Sequence, residues 1–129
     1  MSKVILGFLL LSSTLFSLEW AKDLNSAFAL AKKEQKNVMI LVEGENCRWC
    51  KKFKYRTLQD EAVEKRLEKF VVVKVMRENP SAMSQLPNTK GVPTTFFMKA
   101  NKDVVEEVIG YFNVEDFISY INDVEKKTK

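Results

Sequence analysis

The sequence contains no histidine and only two cysteines among its 129 residues. Without histidine the chain cannot assemble a serine–histidine–aspartate triad or a cysteine–histidine pair, so both classes of nucleophilic catalyst are excluded. Two cysteines cannot supply the four thiolates of a four-cysteine zinc site within one chain. Four interpretations of the two cysteines stay open: a redox pair, a structural disulfide, half of a metal site shared between two molecules, or a spacing that arose by chance.

The chain also lacks a strong charge imbalance, internal repeats and low-complexity linkers. It carries 21 basic and 17 acidic residues, a net charge of +4, and these charges are spread along its length. No cluster of basic and aromatic side chains forms the footprint of a nucleic-acid surface, so we expect a solvated surface and no nucleic-acid partner. The length suits one domain.

The first residues are typical of a secretory signal peptide. Lys3 precedes the apolar run 4–11, and the small residue Ser17 offers a cleavage position. We therefore expect a signal peptide over 1–17 and a single domain over 18–129. An uncleaved membrane-anchoring segment is the alternative, although the apolar run is shorter than the roughly 20 residues of a spanning helix. Both interpretations place the domain in the periplasm or otherwise outside the cytoplasm.

Hydrophobic spacing predicts an α/β fold with a mixed central sheet and helices on both faces. Apolar runs of strand length alternate with segments of helical period, and a four-residue turn separates the last two strands as in a β-hairpin. The predicted strands are 38–42, 70–76, 94–98 and 104–109, and the predicted helices are 23–35, 48–56, a stretch from 60, 80–86 and a segment after Asn113.

Cys47 and Cys50 follow a strand of the buried type and open a helix. As a structural staple the pair would contribute little, about 2 kcal/mol, because the loop it closes is so short. At a helix N-terminus, unpaired N–H groups and the helix dipole stabilise a thiolate. This favours a redox pair in which Cys47 is the nucleophile and Cys50, one turn further in, resolves the mixed disulfide.

Three neighbouring side chains are candidates for tuning or binding. Arg48 lies between the two cysteines and should influence their reduction potential. Trp49 is either a packing aromatic or an apolar contact for a partner polypeptide. Glu43, four residues before Cys47, is either a proton shuttle for Cys50 or a solvated loop carboxylate.

A second motif, Gly91–Val92–Pro93–Thr94, opens a later apolar run, and a proline there fits only the start of a strand. Together with the cysteine pair it resembles the thioredoxin superfamily, which combines a CxxC helix with a cis-proline loop. The resemblance implies a thioredoxin-like fold. It also implies that Pro93 is cis and lies against the Cys47 sulfur, and that the backbone of Val92 pairs with an extended client peptide.

Within that superfamily the chain is similar to exported members such as the C-terminal domain of the reductase DsbD. Trp20–Ala21 before an alanine-rich helix and the two lysines after Cys50 carry this resemblance. The chain departs from the family at Leu41, where a buried aspartate is usual, and at the residues between the cysteines.

The sequence thus predicts an exported enzyme, a thiol–disulfide oxidoreductase that exchanges disulfides with protein thiols and acts as a reductase. The resemblance implies a membrane redox partner and a monomer; no cofactor and no metal is expected beyond the two thiols. Two alternatives stay open: a non-catalytic binding or chaperone module, and a metal carrier that uses Cys47 and Cys50 in a dimer.

Overall fold

The structure, a computed structural model, describes Gly7 and residues 18–129. The predicted signal peptide, apart from Gly7, lies outside the described residues and stays a prediction. Across the described part of the chain, no helix has both the length and the apolar character needed to cross a bilayer.

Five strands form one mixed sheet in the order β1-β3-β2-β4-β5. β1, β3 and β2 run parallel to one another, whereas β4 runs antiparallel to both β2 and β5. The predicted mixed sheet is therefore confirmed. The elements in chain order are β1 (Trp20–Ala21), α1 (Leu24–Glu34), β2 (Asn37–Glu43), α2 (Arg48–Lys52), a π-helix (Phe53–Leu58), α3 (Glu61–Leu67), β3 (Phe70–Met76), α4 (Pro80–Met83), β4 (Thr94–Met98), β5 (Val104–Ile109) and α5 (Val114–Lys127).

The sheet separates two apolar clusters, and β2 contributes alternate residues to each. Val38 and Ile40 pack on the side of α1, while Met39 and Leu41 face the layer formed by the π-helix, α3 and α5. Burying one such side chain contributes about 1.5–3 kcal/mol, so a strand buried on both faces is a strongly fixed element. The end of β2 is consequently a rigid base for the residues that follow it.

Three elements differ from the sequence prediction. The predicted helix 80–86 is shorter, and as α4 it ends at Met83. The edge strand β1 was not predicted, and it forms where Trp20 pairs with Val72 of β3. The predicted helix 48–56 becomes a π-helix after Lys52 and continues to Leu58. Two of its buried residues, Thr57 and Leu58, lie four and five positions after the third, Phe53, which fits the wider π-helical turn and directs all three inward.

Candidate active site

Cys47 and Cys50 form a disulfide at the start of α2, with their Cα atoms 5.2 Å apart. Cys47 is the N-cap residue, and its Sγ accepts a hydrogen bond from the backbone N–H of Cys50 at 3.1 Å. Cys50 is only 1% exposed, whereas Cys47 is half-buried. The pair therefore has one sulfur that a partner can reach and one that the fold shields.

The two residues between the cysteines both lie on the surface. Arg48 is exposed, and Trp49 is 53% exposed. The Trp49 ring packs on Tyr111 with ring centroids 5.6 Å apart, and the ammonium of Lys52 lies 4.6 Å from its centroid. Trp49 therefore both packs on its neighbours and is exposed, so its two interpretations, a packing aromatic and an apolar contact for a partner, stay predictions.

The Val92–Pro93 peptide bond is cis, and the loop that contains it is held on two sides. The N–H of Gly110 donates to the Pro93 carbonyl at 2.8 Å, and the Thr94 hydroxyl donates to the Gly91 carbonyl at 2.7 Å. Gly110 has a φ of +99°, a conformation that strongly favours glycine. Since Tyr111 follows directly, this contact brings the proline loop and the Trp49–Tyr111 pair together.

Glu43 is the last residue of β2 rather than a loop residue. Its carboxylate forms an ion pair with the ammonium of Lys54, and its side chain is 11% exposed against 31% for that of Lys54. The interpretation of Glu43 as a solvated loop carboxylate is therefore wrong. Its action on the cysteine pair, as a proton shuttle or as a tuning charge, stays a prediction.

The loop between β2 and Cys47 rests on the residues that follow β3. The backbone N–H of Arg77 donates to the Glu43 carbonyl at 2.8 Å, which extends the hydrogen-bond ladder between β2 and β3 by one residue. The Glu78 carboxylate accepts the N–H of Glu45 at 3.0 Å, and this hydrogen bond holds the pKa of Glu78 below its ordinary value. A Cβ on Gly44 would lie 3.0 Å from the Nε of Arg77, so a side chain at position 44 would displace that of Arg77 by a few tenths of an ångström.

Three residues near the disulfide were missed by sequence reasoning: Tyr111, Arg77 and Lys54. Tyr111 and Arg77 belong to segments distant in sequence from the cysteines, so no local spacing indicates them. Lys54 lies four residues after Cys50, and it was missed because its partner Glu43 lies on the preceding strand. The nearest available signal was Gly110, since a glycine that permits a left-handed turn fixes where the next side chain points.

In the described residues, neither a metal-binding cluster nor either of two surface grooves involves the cysteine pair. Within the part of the chain that the structure describes, no group of three or more acidic, cysteine or histidine side chains could hold a metal ion. Two grooves of about 560 and 690 Å³ flank β1, and neither includes either cysteine or Pro93. The disulfide therefore lies outside both of these grooves.

Comparison with known proteins points the same way. The family model described as "Thioredoxin-like" matches residues 19–100. The thiol:disulfide interchange protein DsbD of Actinobacillus pleuropneumoniae serotype 5b (strain L20) is 30% identical over 99 residues, which cover 72% of this chain. The chain spans only 17% of the length of that relative.

Solved structures share the fold. A thioredoxin from Thermus thermophilus superposes with a TM-score of 0.74 at 28% identity, over 86% of this chain and 89% of that one. The oxidised C-terminal domain of DsbD from Neisseria meningitidis gives a TM-score of 0.63 at 20% identity, over 76% and 89% respectively. At the latter identity the likeness concerns the fold alone.

Proposed function

This chain belongs to the thioredoxin-like family, and we propose that it is an exported thiol–disulfide oxidoreductase that reduces disulfides in partner proteins through Cys47 and Cys50. The observation that carries the proposal is the disulfide at the start of α2, with one accessible and one shielded sulfur. A structural staple would have no need of an accessible sulfur at the end of the sheet where the cis-proline loop leads into β4.

In the reaction, the reduced pair transfers two electrons to a client disulfide. The Cys47 thiolate attacks one client sulfur, so the client S–S bond breaks and the first client thiolate leaves and takes up a proton. The Cys50 thiolate then attacks the Cys47 sulfur, which forms the intramolecular disulfide and releases the second client sulfur. The client gains two thiols and this chain loses two.

The surroundings of Cys47 favour its thiolate. The Cys50 N–H that donates to its sulfur would become a charge-assisted hydrogen bond to the thiolate, which is about twice as strong as a neutral one. The other free N–H groups of the first turn of α2 and the adjacent Arg48 add positive potential. Cys50, being shielded, would react with the mixed disulfide and not with outside thiols.

Client binding would use the surface around the disulfide. The backbone of Val92 precedes β4, where an extended client segment could pair with it, and Pro93 would lie below the reacting sulfurs. The exposed Trp49 ring offers apolar area to the same segment.

The direction of electron flow is part of the proposal. Known exchangers span about 150 mV, near 7 kcal/mol, so local charge decides it. Arg48 stabilises the reduced state and favours an oxidant, whereas the similarity to the interchange protein DsbD supports a reductase that a membrane partner keeps reduced. A purified protein that oxidises peptide dithiols readily, and that no membrane reductase can reduce, would contradict this direction.

Export rests on residues 1–17, which are proposed as a signal peptide ahead of the domain 18–129. Sequencing the N-terminus of the protein recovered from a periplasmic fraction tests this. We expect Leu18 as the first residue. A full-length cytoplasmic protein would contradict both the cleavage and the localisation.

The experiment that tests the exchange chemistry is trapping. A Cys50→Ser variant should stall as mixed disulfides on Cys47, visible as reductant-sensitive bands whose partners are identified by mass spectrometry. Cys47→Ser is the matched control, because its remaining thiol is shielded and should capture far less. Equal capture by the two variants would contradict the assigned roles. Capture by neither would favour a non-catalytic binding module.

A further inference from the structure

A guanidinium lies beside the loop that precedes Pro93. A Cβ built on Gly44 would meet the Nε of Arg77 at 3.0 Å, its Cζ at 3.3 Å and the Cγ2 of Val92 at 3.2 Å. The side chain of Arg77 is therefore packed over the backbone of Gly44 and next to Val92. No catalytic step proposed above requires a charge at this position.

Arg77 is held firmly at its base and is open at its tip. Its backbone N–H donates to the Glu43 carbonyl, and its Nε lies 3.5 Å from the Glu78 carboxylate. That carboxylate in turn accepts the backbone N–H of Glu45. Its side chain is nevertheless 52% exposed. A guanidinium carries five donors in a planar fork, so an ion pair through Nε leaves the terminal edge available for a second carboxylate.

The sheet order places this fork on one flank of the disulfide. Arg77 follows β3, and Tyr111 follows β5. Between these two strands lie β2, which leads to Cys47, and β4, which begins directly after Pro93. Because β2 and β3 are parallel and β4 and β5 alternate in direction, all four ends lie at the same edge of the sheet. A polypeptide that crosses the disulfide thus has an arginine on one side and the Trp49–Tyr111 pair on the other.

We propose that Arg77 is a specificity-determining residue that selects client segments bearing a carboxylate close to the reacting cysteine. This rests on the proposed function and names its substrate class: disulfide-containing segments with an acidic residue on the β3 side and an apolar residue on the β5 side. The Glu45 and Glu78 carboxylates lie in the same loops, so net charge alone does not attract an acidic client. Selection comes from the fork geometry, which binds a carboxylate bidentately.

Two matched peptide disulfides test this, identical except for Asp or Asn beside the cysteine, with both placements of that residue examined. The rate of their reduction by the reduced full chain is measured at low ionic strength. For one placement the wild type should reduce the Asp peptide about three- to fivefold faster, as expected for an exposed charge pair. Arg77→Gln should bring the two rates within about twofold of each other, and it should lower the Asp rate more than the Asn rate. Arg77→Lys, which keeps the charge and loses the fork, should retain part of the preference.

Lys32→Gln is the matched control, since it removes the same charge in the last turn of α1, which leads to the opposite end of β2. It should retain the full preference. A preference that survives Arg77→Gln, that disappears instead in Arg48→Gln, or that is absent from the wild type overturns the proposal while exchange itself stands. If neither peptide is reduced at all, the proposed function fails, and this inference fails with it.

Discussion

The ring of Trp49 packs against that of Tyr111 at an interplanar angle of 47°, and this contact joins the redox helix to the loop after β5. The Tyr111 ring in turn meets the buried Phe53 edge-on, with centroids 6.2 Å apart. The exposed indole is thus anchored to the core through Tyr111, while about half of the residue is open to solvent. An aromatic surface held in this way suits the binding of an apolar client side chain.

Replacing Trp49 by alanine should weaken client binding without unfolding the protein. Because the ring is 53% exposed, its loss removes more contact area for a client than for the core. We expect the KM for a peptide disulfide to rise about three- to tenfold, a cost typical of one aromatic contact. Tyr55→Ala is the matched control, as that ring is 74% exposed and lies outside the pair. Equal effects of the two substitutions would contradict a binding role for Trp49.

The hydroxyl of Thr57 links the π-helix to the segment that carries Tyr111. It is fully buried and donates to the Phe112 carbonyl at 2.6 Å. Thr57→Val keeps the shape and leaves that carbonyl without its donor, so the free energy of unfolding should fall by about 1–3 kcal/mol. Urea denaturation measures the loss. An unchanged midpoint would show that the hydrogen bond contributes nothing net.

The ion pair between Glu43 and Lys54 predicts unequal effects of removing its two partners. Lys54→Gln leaves a carboxylate that is 11% exposed, whereas Glu43→Gln leaves an ammonium that is 31% exposed and can turn toward water. We expect the first change to lower the free energy of unfolding by about 1–3 kcal/mol and the second by less. The double variant, measured in the same denaturation series, gives the coupling energy. Equal and additive effects would contradict the pairing.

Glu78 predicts a specific acid dependence of stability. Its hydrogen bond from Glu45 lowers its pKa from 4.5, so its stabilising contribution is complete above about pH 4.5 and is lost as the pH falls through the lowered value. Glu78→Gln keeps an acceptor for that N–H and removes the titration. The variant should therefore lose less stability than the wild type between about pH 5 and 3, measured by urea unfolding. Parallel pH profiles would contradict this assignment.

Much of the fold could be predicted because buried strands appear in a sequence as short apolar runs. The runs that form β3, β4 and β5 are continuous or alternating apolar segments bounded by turn residues, and the structure confirms their predicted bounds. The strand β1 could not be predicted, since two residues carry no period and Trp20 is extended only by its pairing with β3. The π-helix was missed because its first turns resemble those of an α-helix in sequence.

The candidate site divides in the same way. Cys47 and Cys50 could be located from their spacing and their place after a buried strand, whereas Pro93 was assigned to the site by the resemblance of its loop to that of the thioredoxin superfamily. Arg77 and Tyr111 reach the site only because the sheet order brings the ends of β3 and β5 to one edge. The predicted strand 38–42 ended one residue too early. Glu43 pairs with Met76 and so extends β2, and as a strand residue its carboxylate is nearly buried instead of lying in a loop.

The most direct test of the account is the alkylation of the two thiols in the fully reduced protein, followed residue by residue with mass spectrometry. Because α2 favours the thiolate of Cys47 and the fold shields Cys50, iodoacetamide should modify Cys47 at least about tenfold faster, with substantial reactivity retained at pH 7. Equal rates, or faster modification of Cys50, would contradict the claim that Cys47 is the attacking nucleophile.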